Sequence, residues 1–277
     1  MSHTCVGFFC TVVMMLAAAS AAAQAPRVPA VGNDRPWEIL DNSFLVEEAF
    51  NQEPRIFQNI FTWTLERDGE WAGTFTQEWP APDKRHQLSY TIPFSGGTAT
   101  SGLDDVLVNY RYQLIDEGPG HPAVAPRLSV ILPTGRAESG VGHGVVGLQM
   151  NVPASKQSGN LYLHGNAGWT WLPRVKSPLT DSRASLFSPH VGGSVIWRAA
   201  PMLNVMLESL LEFEQFLDAD GAAIRERTVT ISPGLRGGWN IGPRQLVVGA
   251  ALPVSRSQGE SSVALLTYFS YELPFKN

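Results

Sequence analysis

Apolar and polar residues alternate one by one along most of this chain. In segment 104–115, Val106 and Val108 share one face, whereas Asn109 lies on the other. A period of two residues is typical of a β-strand with one apolar face. Gly, Pro, Asp and Ser residues interrupt the pattern at intervals, as they do in turns. No helical period runs through residues 54–275, so the pattern predicts an all-β protein.

The alternating segments are long and even in number. Most reach the ~9–11 residues that a tilted strand needs to cross a bilayer. An even number of strands returns the chain to its starting side, and closure removes the unpaired edges of an open sheet. We therefore predict a transmembrane antiparallel up-and-down β-barrel of about 12 strands over residues 54–277. The segments are 54–66, 70–79, 86–95, 104–115, 124–133, 144–153, 160–172, 186–198, 202–217, 224–240, 244–254 and 262–275.

The tryptophans favour a membrane barrel over a soluble β-protein. They fall on the apolar face, usually towards a strand end, as in the aromatic girdles of outer-membrane barrels. A soluble periplasmic sandwich is the alternative, but its polar face would meet bulk water and carry many charges. Here that face is mostly Thr, Ser, Asn, Gln and Gly. The predicted interface aromatics are Trp63, Trp71, Trp79, Trp169, Trp171, Trp197, Trp239 and Phe275.

The N-terminal segment has the pattern of a secretion signal. Residues 1–23 are uncharged and apolar over most of their length and end in small residues, as a secretory signal peptide does. Both cysteines, Cys5 and Cys10, lie within it, so the mature chain is expected to contain no disulfide. The net charge of −5 gives no basic footprint for nucleic acid. We expect export to the outer membrane of a Gram-negative bacterium, with the lipid bilayer as the surroundings.

Residues 24–53 form a leader before the barrel. Asn42 to Gln52 fits one short helix, and an extended path fits equally well. Apolar residues such as Phe44, Val46 and Phe50 are poorly suited to water. One expectation is therefore that the leader folds into the lumen as a hatch.

Several motifs resemble one known family. The stretches SGLDDVLVNYRYQLI, PRLSVILPTG, SPHVGGSVIW, MLNVMLESLLEFE and ISPGLRGGWNIGPRQLVVGAALP are similar to the outer-membrane transporters named for the phenol-degradation meta pathway. The similarity runs from about residue 50 to the end. It implies a membrane barrel and, by the family's name, passage of small, aromatic or hydrophobic compounds. The alternatives are a structural or adhesive barrel without transport and an outer-membrane hydrolase.

Two arginines are predicted to meet inside the barrel. Arg111 and Arg127 are each eight residues from Pro119, so a symmetric hairpin makes them cross-strand neighbours. Like charges side by side are destabilising unless a counter-charge lies between them. The pair forms either an anion-attracting pore wall or a structural network with Asp105, Asp116 or a carboxylate across the lumen.

Acidic residues line other parts of the predicted lumen. The first group is interpreted as a cation site or an acidic pore entrance, or as a solvated mouth without an ion. It comprises Glu208, Glu212, Glu214 and Glu226. The second group lies opposite the arginines and suggests a transverse field across the channel. It comprises Glu66, Glu78 and Glu272.

Histidines and serines on two strands raise the question of an enzyme. His164 and His190 are predicted to face inward, and Ser188 and Ser194 share a face with the second of them. A Ser–His pair is the core of many hydrolases, but no nucleophile elbow is present. We expect satisfied polar lumen residues, no enzyme activity, no cofactor and no metal site.

The last segment ends in an aromatic, as the terminal strand of an outer-membrane protein does. Thr267, Phe269, Tyr271 and Leu273 are predicted to face lipid together with Phe275. By resemblance to outer-membrane proteins generally, barrel-assembly machinery is expected to read this strand. Lys276 and Asn277 are expected to form a periplasmic overhang.

Overall fold

The structure is a computed structural model, and it describes residue 39 and residues 43–98, 100–177, 180–218 and 220–275. The predicted signal peptide, the leader up to residue 42 apart from Ile39, and the two-residue overhang lie outside these residues. Within them, no helix is long and apolar enough to cross a membrane.

Strands make up nearly all of the described chain. In order they are β1 (Ile56–Glu66), β2 (Trp71–Pro80), β3 (His86–Gly96), β4 (Ser101–Leu103), β5 (Val106–Tyr112), β6 (Ala123–Val124), β7 (Arg127–Leu132), β8 (Gly147–Ser158), β9 (Leu161–Lys176), β10 (Arg183–Ala200), β11 (Leu203–Leu217), β12 (Ala223–Ile241), β13 (Arg244–Ala251), β14 (Val254–Ser257) and β15 (Glu260–Pro274). One 3₁₀ turn, Ala137–Ser139, lies between β7 and β8.

The strands close into a barrel whose wall has twelve strand positions. Three of these positions are each occupied by two short strands in succession, namely β4 with β5, β6 with β7, and β13 with β14. The two members of each pair are hydrogen-bonded to the same neighbouring strand. Every pairing is antiparallel, and β1 pairs with β15 along its whole length, from Ile56 opposite Pro274 to Glu66 opposite Ala264. The predicted up-and-down barrel of about 12 strands is confirmed.

The two ends of the barrel differ. The end that holds the start of β1 and the end of β15 is called the near rim. The opposite end, called the far rim, carries the connections 67–70, 97–100, 133–146, 177–182, 218–222 and 258–259. The longest of these is the 133–146 connection, which includes the 3₁₀ turn.

One strand boundary differs clearly from the prediction at Pro153. The sixth segment was expected to finish at Pro153, but β8 continues to Ser158. Pro153 pairs with Asn166, and its carbonyl accepts the N–H of Ala125. The strand thus tolerates a residue without an N–H. It ends where Gly159 takes a positive φ of 57° in the turn.

The two faces of the wall have opposite chemistry. Outward-facing side chains such as Val108, Leu235 and Trp239 are 47%, 56% and 54% exposed. Their inward neighbours Asn109 and Arg236 are 4% and 2% exposed. The period of two residues therefore produces an apolar outer wall and a polar interior, which is the arrangement of a membrane barrel.

Candidate functional site: the lumen and the leader within it

Leader residues 43–53 lie against the inward-facing side chains of the wall. They form bends and extended backbone and no helix, so the extended alternative describes them. Backbone groups in the interior of a barrel need hydrogen-bond partners. The wall provides these partners from side chains on β3, β5 and β8 to β11, together with Gln113.

Glu208 on β11 holds the first part of the leader. Its carboxylate accepts the N–H groups of Phe44, Leu45 and Val46 at 3.2, 2.9 and 3.1 Å. The side chain is fully buried. Hydrogen bonds to an ionised acceptor are stronger than neutral ones and offset part of the burial of its charge. Ser43 adds a contact of 3.0 Å to the hydroxyl of Ser194 on β10.

Asn166 and Ser155 hold the middle of the leader. The Glu47 N–H donates to Asn166 Oδ1 at 2.7 Å, and Asn166 Nδ2 donates back to the Glu47 carbonyl at 2.8 Å. The Ala49 N–H donates to Ser155 Oγ at 2.7 Å. The same Oγ also makes a hydrogen bond of 2.7 Å with His164 Nδ1. Each wall side chain therefore matches a specific backbone group.

Arg111 on β5 binds the last part of the leader. Its guanidinium donates to the carbonyls of Glu48 and Phe50 at 3.1 and 2.6 Å and to Asn51 Oδ1 at 3.0 Å. The side chain is 6% exposed. A planar donor fork suits several acceptors at once. The guanidinium that was expected to line a pore is therefore covered by the leader.

Two glutamines complete this end of the contact. Gln113 accepts the Asn51 N–H at 3.2 Å and donates to the Ala49 carbonyl at 2.9 Å. Gln87 on β3 accepts the Gln52 N–H at 2.5 Å. The chain then enters β1 at Ile56.

Arg111 and Arg127 pair directly across β5 and β7. Arg127 Nη2 lies 2.5 Å from Glu47 Oε1, and Arg111 Nη2 lies 3.8 Å from Glu78 Oε2. The two carboxylates supply the counter-charge that a pair of like charges requires. Of the two alternatives, the structure thus contains the charge network.

The expected partners of this pair were wrong in part. Asp105 binds His143 in a far-rim loop, and Asp116 lies 3.6 Å from Arg85. Glu47 was missed because it belongs to the leader, outside the alternating pattern. Burial raises the pKa of the Glu47 carboxyl, but the charge and hydrogen bonds of Arg127 outweigh it, so that pKa is lowered.

Glycines on the inner wall make room for the apolar side chains of the leader. Phe44 packs on Tyr268 with ring centroids 5.0 Å apart. A Cβ at Gly249 would overlap the Phe44 ring, and one at Gly234 would lie 3.1 Å from it. Val46 stands in the same relation to Gly192, at 3.1 Å. The wall is therefore complementary to the leader in shape as well as in hydrogen bonding.

The acidic residues of the first group have different surroundings. Glu208 binds the leader, whereas Glu212 pairs with His190 across β10 and β11. Glu214 and Glu226 face each other across β11 and β12. Glu226 accepts a hydrogen bond from Ser257. The four side chains thus do not form one cluster.

The acidic residues of the second group lie at different heights in the barrel. Glu66 is exposed at the far end of β1, whereas Glu78 and Glu272 are buried. Gln87 donates a hydrogen bond to Glu78. Glu78 lies next to Arg111 and belongs to the arginine network.

Of the predicted serines and histidines, Ser194 lies opposite His164 in the β9–β10 ladder. Ser194 contacts Ser43, and Ser188 accepts the N–H of Gln215. The observed Ser–His contact is Ser155 with His164, both buried. Because Ser155 Oγ already accepts from the leader, it is a positioning group for the leader and not an accessible nucleophile.

The seven tryptophans of the strands lie on the outer wall, often against other aromatics. Trp63 stacks on Trp71 at 4.8 Å, and Trp169 lies 5.9 Å from Phe187. Trp171, Trp197 and Trp239 are exposed. At the near rim Phe57 lies between Trp79 and Phe275, at 6.0 and 4.5 Å.

A far-rim cluster contains potential cation ligands. Ligand atoms of Asp104, Asp105 and His143 lie within 4.8 Å of one another. Asp105 accepts the N–H groups of Gly135 and His143 at 3.0 and 2.7 Å and contacts the His143 ring at 3.1 Å. These bonds attach the 133–146 connection to the two residues between β4 and β5. They provide partners for the Asp105 carboxylate and so account for its burial.

Burial raises the pKa of Asp105, but its hydrogen bonds to His143 and Gly135 lower it overall. The hydrogen bond to Asp105 raises the pKa of His143. The pair is therefore mutually stabilised in its ionised form.

The interior is apolar in one region towards the far rim. Leu107 pairs with Ile131 across β5 and β7, and Leu186 pairs with Leu172 across β10 and β9. These side chains belong to one apolar cluster together with Val145 of the long connection. A molecule passing through the lumen would meet both this cluster and the polar wall.

Sequence reasoning missed most of the groups that bind the leader. They are Gln87, Gln113, Ser155 and Asn166, with Arg236 near Glu208. Amides and hydroxyls are common on every inward face, so no motif separates these from the rest. The alternation of the strands predicted that these side chains face inward. Which of the inward side chains bind the leader depends on the path of the leader.

Comparison with known proteins is informative at the level of fold. No protein-family model and no curated protein matches this chain. An outer membrane channel from Pseudomonas putida F1 superposes with a TM-score of 0.61 at 12% identity, covering 82% of this chain and 98% of that one. A NanC porin gives a TM-score of 0.51 at 11% identity, covering 78% and 100%. Identities this low show the barrel fold and do not carry function.

Proposed function

We propose that this chain is an outer-membrane channel for small molecules, with its leader seated in the lumen. The observation that carries the proposal is the inner wall. It is polar, and the leader binds to it mainly through hydrogen bonds and one ion pair. In water such bonds are worth little net free energy each. A leader held in this way can exchange its bonds for water when it moves.

The apolar cluster around Leu172 and Leu186 supports a finer proposal about the cargo. Cargo with both apolar and polar parts would contact this cluster near the far rim and the amide-rich wall below it. Small aromatic compounds have this chemistry, in agreement with the resemblance to the transporters named for the phenol-degradation meta pathway. The barrel neighbours are described as a channel and a porin, which is consistent with passage.

Planar bilayers test the channel. The purified mature chain and a variant lacking residues 24–53 are inserted under identical conditions. We expect small, infrequent openings for the full chain and a stable, larger conductance for the truncated one. Absence of conductance in both forms, with correct folding shown by heat-dependent gel mobility, would favour the structural or adhesive alternative.

Liposome swelling tests the cargo. A panel of sugars, amino acids and aromatic acids is compared at matched size and charge. Faster entry of aromatic acids than of sugars is expected, and Leu172→Ser/Leu186→Ser should reduce that preference. Equal rates of entry for all solutes would contradict the proposed cargo, whereas the proposal that the protein is a channel would stand.

A further inference from the structure

Three arginines project outward near the far rim, away from the lumen. Arg225 and Arg227 lie on β12 and Arg256 on β14, and all three are exposed. Residues two apart on a strand are separated by about 6.7 Å. Arg256 pairs with Val229, so it is diagonal to Arg227, at about 7–8 Å. Three positive charges therefore share a small area of the outer wall.

In the described strands, none of the cross-strand partners of these arginines is a carboxylate. Arg225 is paired with Gln215, Arg227 with Phe213, and Arg256 with Val229 and Ser261. Glu226 also lines the adjoining depression, but its carboxylate points to the inner face of the wall, where it accepts a hydrogen bond from Ser257. Within the described residues, none of the three guanidiniums makes a hydrogen bond or ion pair. Like charges placed this close favour an external anion.

A depression of about 1140 Å³ adjoins the arginines. Its wall includes all three of them and the apolar side chains Val191, Leu211, Val229, Ile231 and Val254. Its floor is low because Gly193 pairs with Ser209. A Cβ at Gly193 would have no neighbour closer than 3.8 Å. The surface thus combines a cationic upper edge with an apolar, unfilled hollow beneath.

The height of the arginines matches a membrane interface. On the outward face of β12, Trp239 lies near the near rim and Val229 lies ten residues before it. Ten residues span about 33 Å along the strand, or about 25 Å across the membrane at a tilt of ~40°. That is the height of the apolar band of outer-membrane barrels. Arg227 and Arg225 follow immediately above this band.

We propose that this surface binds a phosphorylated, multiply acylated glycolipid of the outer leaflet. The guanidiniums would bind its phosphates through paired N–H groups, for which Arg is well suited. Its acyl chains would fill the hollow beside Ile231 and Val254. The inference rests on the proposed outer-membrane location and on the expectation that the end of β15 is periplasmic, which puts the far rim at the outer surface; it does not rest on conduction.

Native mass spectrometry of the full mature chain in detergent tests the proposal. The probes are a diphosphorylated hexa-acyl glucosamine disaccharide, its dephosphorylated form, phosphatidylglycerol and inorganic phosphate. We expect one diphosphorylated glycolipid per barrel, and markedly weaker binding of the dephosphorylated form and of phosphatidylglycerol. Inorganic phosphate should not displace the glycolipid. Equal binding of phosphatidylglycerol, or displacement by phosphate, would overturn the proposal.

Two variants and one control locate the site. Arg225→Gln/Arg227→Gln/Arg256→Gln should weaken binding by about tenfold or more. Gly193→Leu should also weaken binding, because it fills the hollow and keeps the charges. The control Arg198→Gln/Arg244→Gln removes arginines at the near rim and should bind normally. Unchanged binding by the triple variant, or equal loss in the control, would refute the site.

This experiment separates the inference from the channel proposal. Binding is read in detergent, where conduction plays no part. Loss of glycolipid binding in a barrel that still conducts would refute only the inference. Retained binding in a barrel that never conducts would refute only the channel.

Discussion

Arg127 on β7 lies 2.5 Å from Glu47, a residue 80 positions earlier in the chain. The contact joins the wall to the leader and gives the arginine pair one of its two counter-charges. Both side chains are largely buried, at 15% and 29% exposure. Breaking one side of such a pair leaves an uncompensated charge. The contact therefore makes leader seating sensitive to pH and to substitution.

Acid should loosen the leader. The pKa of Glu47 is lowered in the folded chain, so the stabilisation is present above its unfolded value of about 4.3 and is lost as the pH falls through the folded value. Single-channel recordings should show more frequent opening below about pH 4. Glu47→Gln should open more often at neutral pH and lose this acid response. A truncated barrel that lacks the leader yet responds equally to acid would contradict this explanation.

Glu208→Ala should release the first part of the leader. The substitution removes the acceptor of three N–H groups, and each buried N–H left without a partner costs about 1–3 kcal/mol. Conductance should rise towards that of the chain lacking residues 24–53. Glu212→Ala is the matched control, since within the described residues Glu212 makes no hydrogen bond to the leader. Similar conductance in the two variants would show that the carboxylate does not hold the leader.

Gly249→Val should displace Phe44. A side chain at this position overlaps the Phe44 ring, and a rigid wall strand cannot move away easily. We expect raised conductance and restoration of the closed state by the second change Phe44→Ala. Gly165→Val serves as the control, because the nearest atom to its Cβ would be 3.9 Å away. Failure of Phe44→Ala to restore closure would place the effect in the strand itself.

The long far-rim connection should be tightest at intermediate pH. The pKa of His143 is raised, so its contribution is complete below about 6.5 and is lost as the pH rises through the folded value. The pKa of Asp105 is lowered, so its contribution is lost as the pH falls through that value. The protection of the Gly135 and His143 amides, expressed relative to the intrinsic base-catalysed exchange rate at each pH, should therefore be weaker at about pH 9 than at about pH 6. His143→Asn should remove the difference; a persistent difference would assign it to other groups.

The barrel could be predicted from the sequence because its signal is local. Each strand alternates on its own, so twelve strands were visible without knowledge of their neighbours. The pairing of Arg111 with Arg127 also followed from local counting across one hairpin. The end of the sixth segment was placed too early, at Pro153, whereas the ladder continues through that residue to Ser158.

The leader could not be traced in the same way. It has no period, and its partners are single amides, hydroxyls and charges far away in the chain. Asn166, for example, is 119 residues from Glu47. Its role depends on which inward residues lie side by side after closure, and this is a property of the whole barrel. Arg225, Arg227 and Arg256 were overlooked for a related reason. In the sequence, each of them resembles any other charged residue near the end of a strand.

Closure of β1 against β15 also determines when the leader can be seated. The leader is continuous with β1, yet its contacts reach Ser194 and Glu208, on strands made late in synthesis. Those strands must already be in place before residues 43–46 find their acceptors. Contacts this distant in sequence are slow to form. The leader is therefore expected to take its place last. Protection of the Leu45 amide from exchange would show that assembly of the barrel is finished.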